Sequence, residues 1–213
     1  MGQTDYSGYA TINITTTVDE DDTGGDGTGD DANLYVEAPV GTDAEERVML
    51  LRFTVGSKTD LSLPETAILR DIEVKLYQTT SDSLTLTLKK LKFDFVEALA
   101  SWNAYDGSSS WNPDEAVVDT EVTGEYAAVE FVGSHAWTGG GTGNVSLEEG
   151  VKADKWDFGS TINLIGYSSA TAESQFSDDS AGSNYPQYRV KYEIPTPPGP
   201  TITVTPQDNG TDG

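Results

Sequence analysis

The 213-residue chain has no cysteine, so neither a disulfide framework nor a thiolate metal site can hold it together. Its one histidine, His135, rules out zinc sites built on several imidazoles. His135 lies in "GSHAW" at the end of an expected strand. With no cysteine and no G-x-S-x-G turn, nothing supplies it with an activated nucleophile. Positive charge is scarce as well. Twelve Lys and Arg face thirty-six Asp and Glu, a formal net charge of −24. Such a surface repels phosphate backbones and anionic headgroups, so nucleic acid is excluded as a partner. No stretch approaches the roughly 20 apolar residues of a membrane span. The chain start carries neither the basic nor the apolar run of a secretory signal. These absences lead to an expectation of no membrane insertion and of either a signal already trimmed away or another route out of the cell, release inside a particle being one.

What is present is a series of short alternating segments. "YATINITTTV" (9–18), "NLYVEA", "RVMLLRFTV" (47–55), "DIEVKLYQT", "SLTLTLKKLKF", "AAVEFV", "TINLIGYSS" and "PQYRVKYEI" are rich in β-branched and aromatic residues, with Gly, Ser, Asp and Asn between them. That pattern predicts an all-β protein, two antiparallel sheets packed as a sandwich. "RVMLLRFTV" has the unbroken apolar character of a strand buried on both faces. Alternation marks Leu50, Phe53, Leu76, Leu86, Val190 and Tyr192 as inward residues. The polar "TTSDS" predicts a hairpin between its two flanking strands, and "FVEALASW" and "LEEGVKADKW" each have the spacing of a turn of helix. The chain divides into an extension at 1–9, a sandwich at 10–194 and a Pro-rich linker and tail at 195–213.

Four places are candidates for function. "GGDGTGDD" (24–31) offers Asp26, Asp30 and Asp31 as ligands of an irregular Ca²⁺ site, against the alternative of a solvated acidic turn; no other cofactor is expected. It has neither the spacing of an EF-hand nor the tandem copies of a calcium nonapeptide. "SWNAYDGSSSWN" (101–112) has two tryptophans that are either core anchors or a platform for sugar rings. Tyr105 between them, and Trp137 further on, are the candidate glycan-contact aromatics. In the tail, Thr201, Ile202, Thr203, Val204 and Thr205 form an alternating strand that either pairs with a neighbouring sheet edge or is a passive linker. The N-x-S/T sequons at Asn13, Asn144 and Asn209 support no inference in a chain this rich in Ser and Thr.

The order of these pieces resembles DNRLRE-type, disaggregatase-related domains, which are similar to carbohydrate-binding modules. "ERVMLLRFTV" looks like their naming strand, "LPETAILRDIEVKLYQ" like the segment after it, and "FVEALASWNAYDGSSSWN" like their tryptophan loop. "TINLIGYSS", "QFSDDS" and "YPQYRVKYE" are similar to their closing strands. Two departures are "SDD" at 177–179, where the family often has Ser-Arg-Glu, and "WDFGSTIN" in place of an Asn-Tyr-Gly. The resemblance implies a jelly-roll sandwich without catalytic activity, and tryptophans that pin a long loop onto it. The expectation is a non-enzymatic virion structural protein on a particle surface, such as a capsid decoration, head-fibre or tail-associated protein. Its partners would be other subunits and polysaccharide, and its location virion or extracellular. The alternative is a carbohydrate-binding module of a secreted or cell-surface protein.

Overall fold

The computed structural model describes residues 3–19, 33–38, 46–111, 128–153, 156–178, 181–182 and 184–197. Among these run β1 (Gln3–Tyr6), β2 (Ala10–Thr11), β3 (Ile14–Asp19), β4 (Asn33–Val36), β5 (Arg47–Thr54), β6 (Ile68–Gln78) and β7 (Ser83–Leu91). Then follow β8 (Ala128–Thr138), β9 (Gly141–Ser146), the helix α1 (Glu148–Ala153), β10 (Thr161–Ser168), β11 (Ser174–Ser177) and β12 (Gln187–Ile194). Each of these pairings is antiparallel. One sheet runs β1-β12-β6-β11-β4, with β2 joined to β12 and β9 to β6; the other runs β3-β5-β10-β7-β8. The two pack on each other as a β-sandwich.

Period-two alternation builds the layer between them. Leu84, Leu86 and Leu88 of β7 are buried while Ser83 and Thr85 are exposed. Each such leucine contributes about 1.5–3 kcal/mol of burial. Ile72, Val74 and Leu76 of β6 meet them, with Val190 of β12, and Tyr192 is half-buried against the same cluster.

β5 is buried on both faces, as its unbroken apolar run predicts. Met49, Leu51 and Phe53 point into the sandwich. Val48 and Leu50 point the other way, into a second cluster with Ile165 of β10 and with Phe95, Trp102 and Trp111. Leu50 and Phe53 are therefore both buried, but on opposite faces and not on one inward face. Three residues along a strand reverse the side.

The expected hairpin at "TTSDS" does not form. β6 belongs to one sheet and β7 to the other, so the short turn carries the chain across the sandwich. β8 and β9 cross back in the same way and pair with β7 and β6 respectively. Gln78, at the end of β6 and 1% exposed, fastens both crossings. Its Nε2 donates to Asp82 O (2.9 Å) and Thr80 Oγ1 (3.3 Å), and its Oε1 accepts from Gly140 N (3.2 Å). The return crossing needs three successive positive φ angles, 142°, 77° and 87° at Gly139, Gly140 and Gly141, which only glycine adopts without strain. A side chain at Gly140 would also strike Thr80 O, 2.6 Å from the position of its Cβ.

Of the two expected turns of helix, the second forms α1. Leu147 and Trp156 are buried around α1 with Val151 packed beside them. "FVEALASW" makes a single turn, closed by Ala100 N to Val96 O at 2.8 Å.

Candidate functional site

The first sheet turns its outer face to solvent, and strand register assembles a cluster there. Pairing of β12 with β6 sets Arg189 opposite Glu73 and Lys191 opposite Asp71. Pairing of β6 with β9 sets Lys75 opposite Asn144. β1 joins the outer edge of β12 with Tyr6 opposite Lys191, and Tyr9 follows just before β2. The cations therefore stand in rows, with two tyrosines over them. The Arg189 guanidinium is 4.2 Å from the Tyr6 ring centroid and 4.8 Å from that of Tyr9. Lys75 Nζ is 4.4 Å from Tyr9, and Lys191 Nζ is 5.7 Å from Tyr6.

One carboxylate ties the group together. Glu73 Oε1 accepts from Arg189 Nε and Nη2, each at 2.6 Å, and from the Tyr9 hydroxyl at 3.1 Å. Burial, and then the hydrogen bond to Glu73, raise the Tyr9 pKa, so the hydroxyl stays protonated and donating. Tyr6 and Tyr9 remain 39% and 37% exposed. They are rings held in place with much of their surface still wet. Tyrosine presents a flat apolar body and a polar tip at small entropic cost, which suits contact with a polyhydroxylated ligand. Asn144 lies beside the Tyr9 hydroxyl and adds an amide to the face.

The sequence-predicted aromatics lie elsewhere. Trp137 is 3% exposed; its Nε1 donates to Gly141 O at 3.1 Å, and its ring meets Phe176 and His135 edge-on. The indole lies against Gly143, where a Cβ would fall 2.4 Å from Cζ2. Burial leaves Trp137 no face for a sugar ring. Tyr105 is half-buried, stacked on Phe93 at 5.0 Å and tilted against Trp111 at 5.7 Å; its ring closes the loop cluster instead of standing free. Trp102 and Trp111 are 3% and 0% exposed, and Trp111 Nε1 donates to Ser101 O at 3.0 Å. The two tryptophans are anchors. Between them, Asp106 accepts from Ser108 N, Ser109 N and Ser109 Oγ, and these bonds hold its pKa below the usual carboxylate range.

Asp26, Asp30 and Asp31 lie outside the described residues, as do Thr201, Ile202, Thr203, Val204 and Thr205. Among the described residues no group of three or more His, Asp or Glu is placed to hold a metal ion, and no helix is long and apolar enough to cross a membrane. Tyr6 and Tyr9 were not singled out from the sequence. The available signal was "YRVKYE" on β12, where Arg189 and Lys191 alternate on one face of an otherwise acidic chain.

No protein-family model matches the chain, and no curated protein matches it.

Proposed function

We propose that this protein is a non-enzymatic structural and adhesive module on the surface of a virus particle, a capsid decoration, head-fibre or tail-associated component. It would meet polysaccharide through the outer face of its first sheet. The observation that carries the adhesive part is the pair of exposed tyrosines fixed over Arg189 and Glu73. Rigid, half-wet aromatic rings flanked by amide and hydroxyl groups bind sugar by stacking on its C–H faces and hydrogen-bonding its hydroxyls. The particle setting rests on a motif order that resembles that of DNRLRE-type jelly rolls and on a charge of −24, which keeps crowded copies apart and soluble.

Retention on immobilised polysaccharides tests the face. The wild-type protein should be held by at least one of them. Tyr6→Ala/Tyr9→Ala should not be held, while it still unfolds cooperatively with a melting midpoint lowered by no more than about 16 °C, since the four exposed cation–π contacts contribute about 0.5–1 kcal/mol each. Equal retention of both proteins would remove the face from the reading.

The same tyrosines favour a second reading, a carbohydrate-binding module of a secreted or cell-surface protein. Assembly separates the two. If the protein is a particle component using its tail, deleting residues 196–213 leaves the monomer folded while incorporation into the particle or oligomer falls. A chain that stays monomeric with and without the tail belongs to the second reading.

A further inference from the structure

β3 follows β5 only as far as the pair Ile14–Arg52. At Asn13 the chain leaves that sheet, since β2 just before it pairs with β12 in the other. β5 runs on past this point, and the step opens a notch of about 320 Å³ at the edge of the sandwich. Phe53 and Tyr188, stacked at 4.5 Å, form its wall. Thr11, Asn13, Thr54 and Thr161 bring hydroxyls and an amide to it, and Arg52 brings its one charged side chain.

Arg52 stands apart from the other arginines. Arg47 pairs with Glu173, Arg70 with Glu193 and Arg189 with Glu73. Among the described residues, no carboxylate lies at ion-pair distance from Arg52 in a chain with thirty-six of them. Its Nη1 donates to Phe95 O at 2.7 Å, with the guanidinium 5.5 Å from the Phe95 ring. The carboxylates of the neighbouring loop bond elsewhere: Asp94 accepts from Asn163 Nδ2, and Glu97 accepts from Thr15 N. A guanidinium has five donors, and among the described residues this one, on a residue that lines the notch, bonds Phe95 O and no carboxylate.

We propose that the notch binds a single sugar ring bearing a carboxylate, a uronate residue. The carboxylate would take the free edge of Arg52 through two parallel hydrogen bonds, and the ring hydroxyls would meet Thr11, Asn13, Thr54 and Thr161. The volume is at the low end of ligand pockets, about 300–1,000 Å³, which suits one ring. A phosphate dianion fits less well, because the notch has one cation and a net charge of −24 opposes a double negative charge more strongly than a single one. The inference stands apart from the tyrosine face, whose residues are not among those lining the notch.

The test is an amide-resolved NMR titration of the full chain with galacturonate and glucuronate, and with glucose, acetate and inorganic phosphate as comparison probes. The uronates should shift Thr11, Asn13, Thr54 and Thr161 saturably, with at least tenfold higher affinity than glucose or acetate and weaker binding as salt is raised. Arg52→Gln should lower that affinity tenfold or more. Because Arg52 also holds Phe95 O, Asn13→Ala and Thr161→Val serve as the second set; each should cost several-fold with the fold intact. Tyr6→Ala/Tyr9→Ala should leave uronate binding unchanged, so failure here and failure of the tyrosine face are distinguishable. Equal binding of uronate and glucose, or tighter binding of phosphate, would overturn the proposal. So would a wild-type uronate affinity in Arg52→Gln, which would reduce Arg52 to a loop anchor.

Discussion

Replacing Trp111 with alanine tests whether the tryptophan loop is part of the folded core. Trp111 is fully buried in the cluster that covers Val48 and Leu50 of β5 and Ile165 of β10. Truncation removes the indole from that cluster and leaves the Ser101 carbonyl without its donor. Tryptophan-to-alanine changes in packed cores cost about 3–5 kcal/mol, against a total stability of about 5–15 kcal/mol for an ordinary domain. At about 2–4 °C per kcal/mol for a chain of this length, the melting midpoint should fall by roughly 6–20 °C. Thermal unfolding followed by far-ultraviolet circular dichroism, with a urea titration beside it, measures the change. Trp111→Phe, which keeps a ring but loses the hydrogen bond, should fall between alanine and wild type. A Trp111→Ala midpoint equal to wild type would refute the reasoning. If polysaccharide retention were lost at the same time, the loop would be a ligand platform after all.

Two further perturbations follow from other parts of the sandwich. Gln78→Ala removes the side chain that fastens both crossings between the sheets, leaving Asp82 O and Gly140 N without their partners. Stability should fall by about 2–3 kcal/mol, and a loss below about 0.5 kcal/mol in urea would show that the backbone holds the crossings unaided. Asp71 is buried on β6, its Oδ2 bonded to Ser146 Oγ and its Oδ1 unpaired. Burial, with smaller contributions from Glu148 and Glu73, raises its pKa. A carboxyl whose pKa is raised by folding opposes folding above that pKa, and the penalty is relieved as pH falls through it toward the unfolded value. Asp71→Asn should therefore be more stable than wild type at neutral pH, with the difference shrinking on acidification. A difference that grew as pH fell would refute the assignment.

Strand periodicity was legible in the sequence because half-buried strands impose it. Leu84, Leu86 and Leu88 could alternate as they do only on a strand with one face in a core, and "RVMLLRFTV" could lack alternation only with both faces covered. Which sheet each strand joins was not legible. "TTSDS" fits a hairpin and a crossing equally well; the deciding contact is Gln78 with Gly140, 62 positions apart. The site was hidden for the same reason. Tyr9 and Glu73 are separated by 64 positions, and Glu73 and Arg189 by 116. Composition shows that the residues exist, but only antiparallel register shows that they meet. Tyr105 and Trp137 drew notice because each sits in a loop-like or glycine-flanked setting. The same glycines allow Trp137 to lie flat against the backbone at Gly143 and be buried.

The placement of the scarce cations links the two proposed sites. With three carboxylates for each basic residue, most cations would be expected in ion pairs. Yet Arg52, Lys58, Lys75, Lys89, Arg189 and Lys191, half of the twelve, lie over aromatic rings. Such contacts are ordinarily found about once per 70–80 residues, which would give about three in a chain of this length. Sheet register sets three of these contacts, Lys89 with Tyr167 and both Arg189 and Lys191 with Tyr6, because a cation and a ring on directly opposed or diagonal strand positions are held within reach whatever the surrounding charge. An approaching polymer thus meets a surface that repels negative charge almost everywhere, interrupted where Arg189, Lys75 and Lys191 gather around Tyr6 and Tyr9 and where Arg52 borders the notch. Repulsion, screened over about 8–10 Å at moderate salt, is lowered at these two places. On the two proposals, a neutral glycan would suit the broad tyrosine face and a singly charged sugar the narrow notch, and the acidity of the rest of the chain would then filter what reaches either.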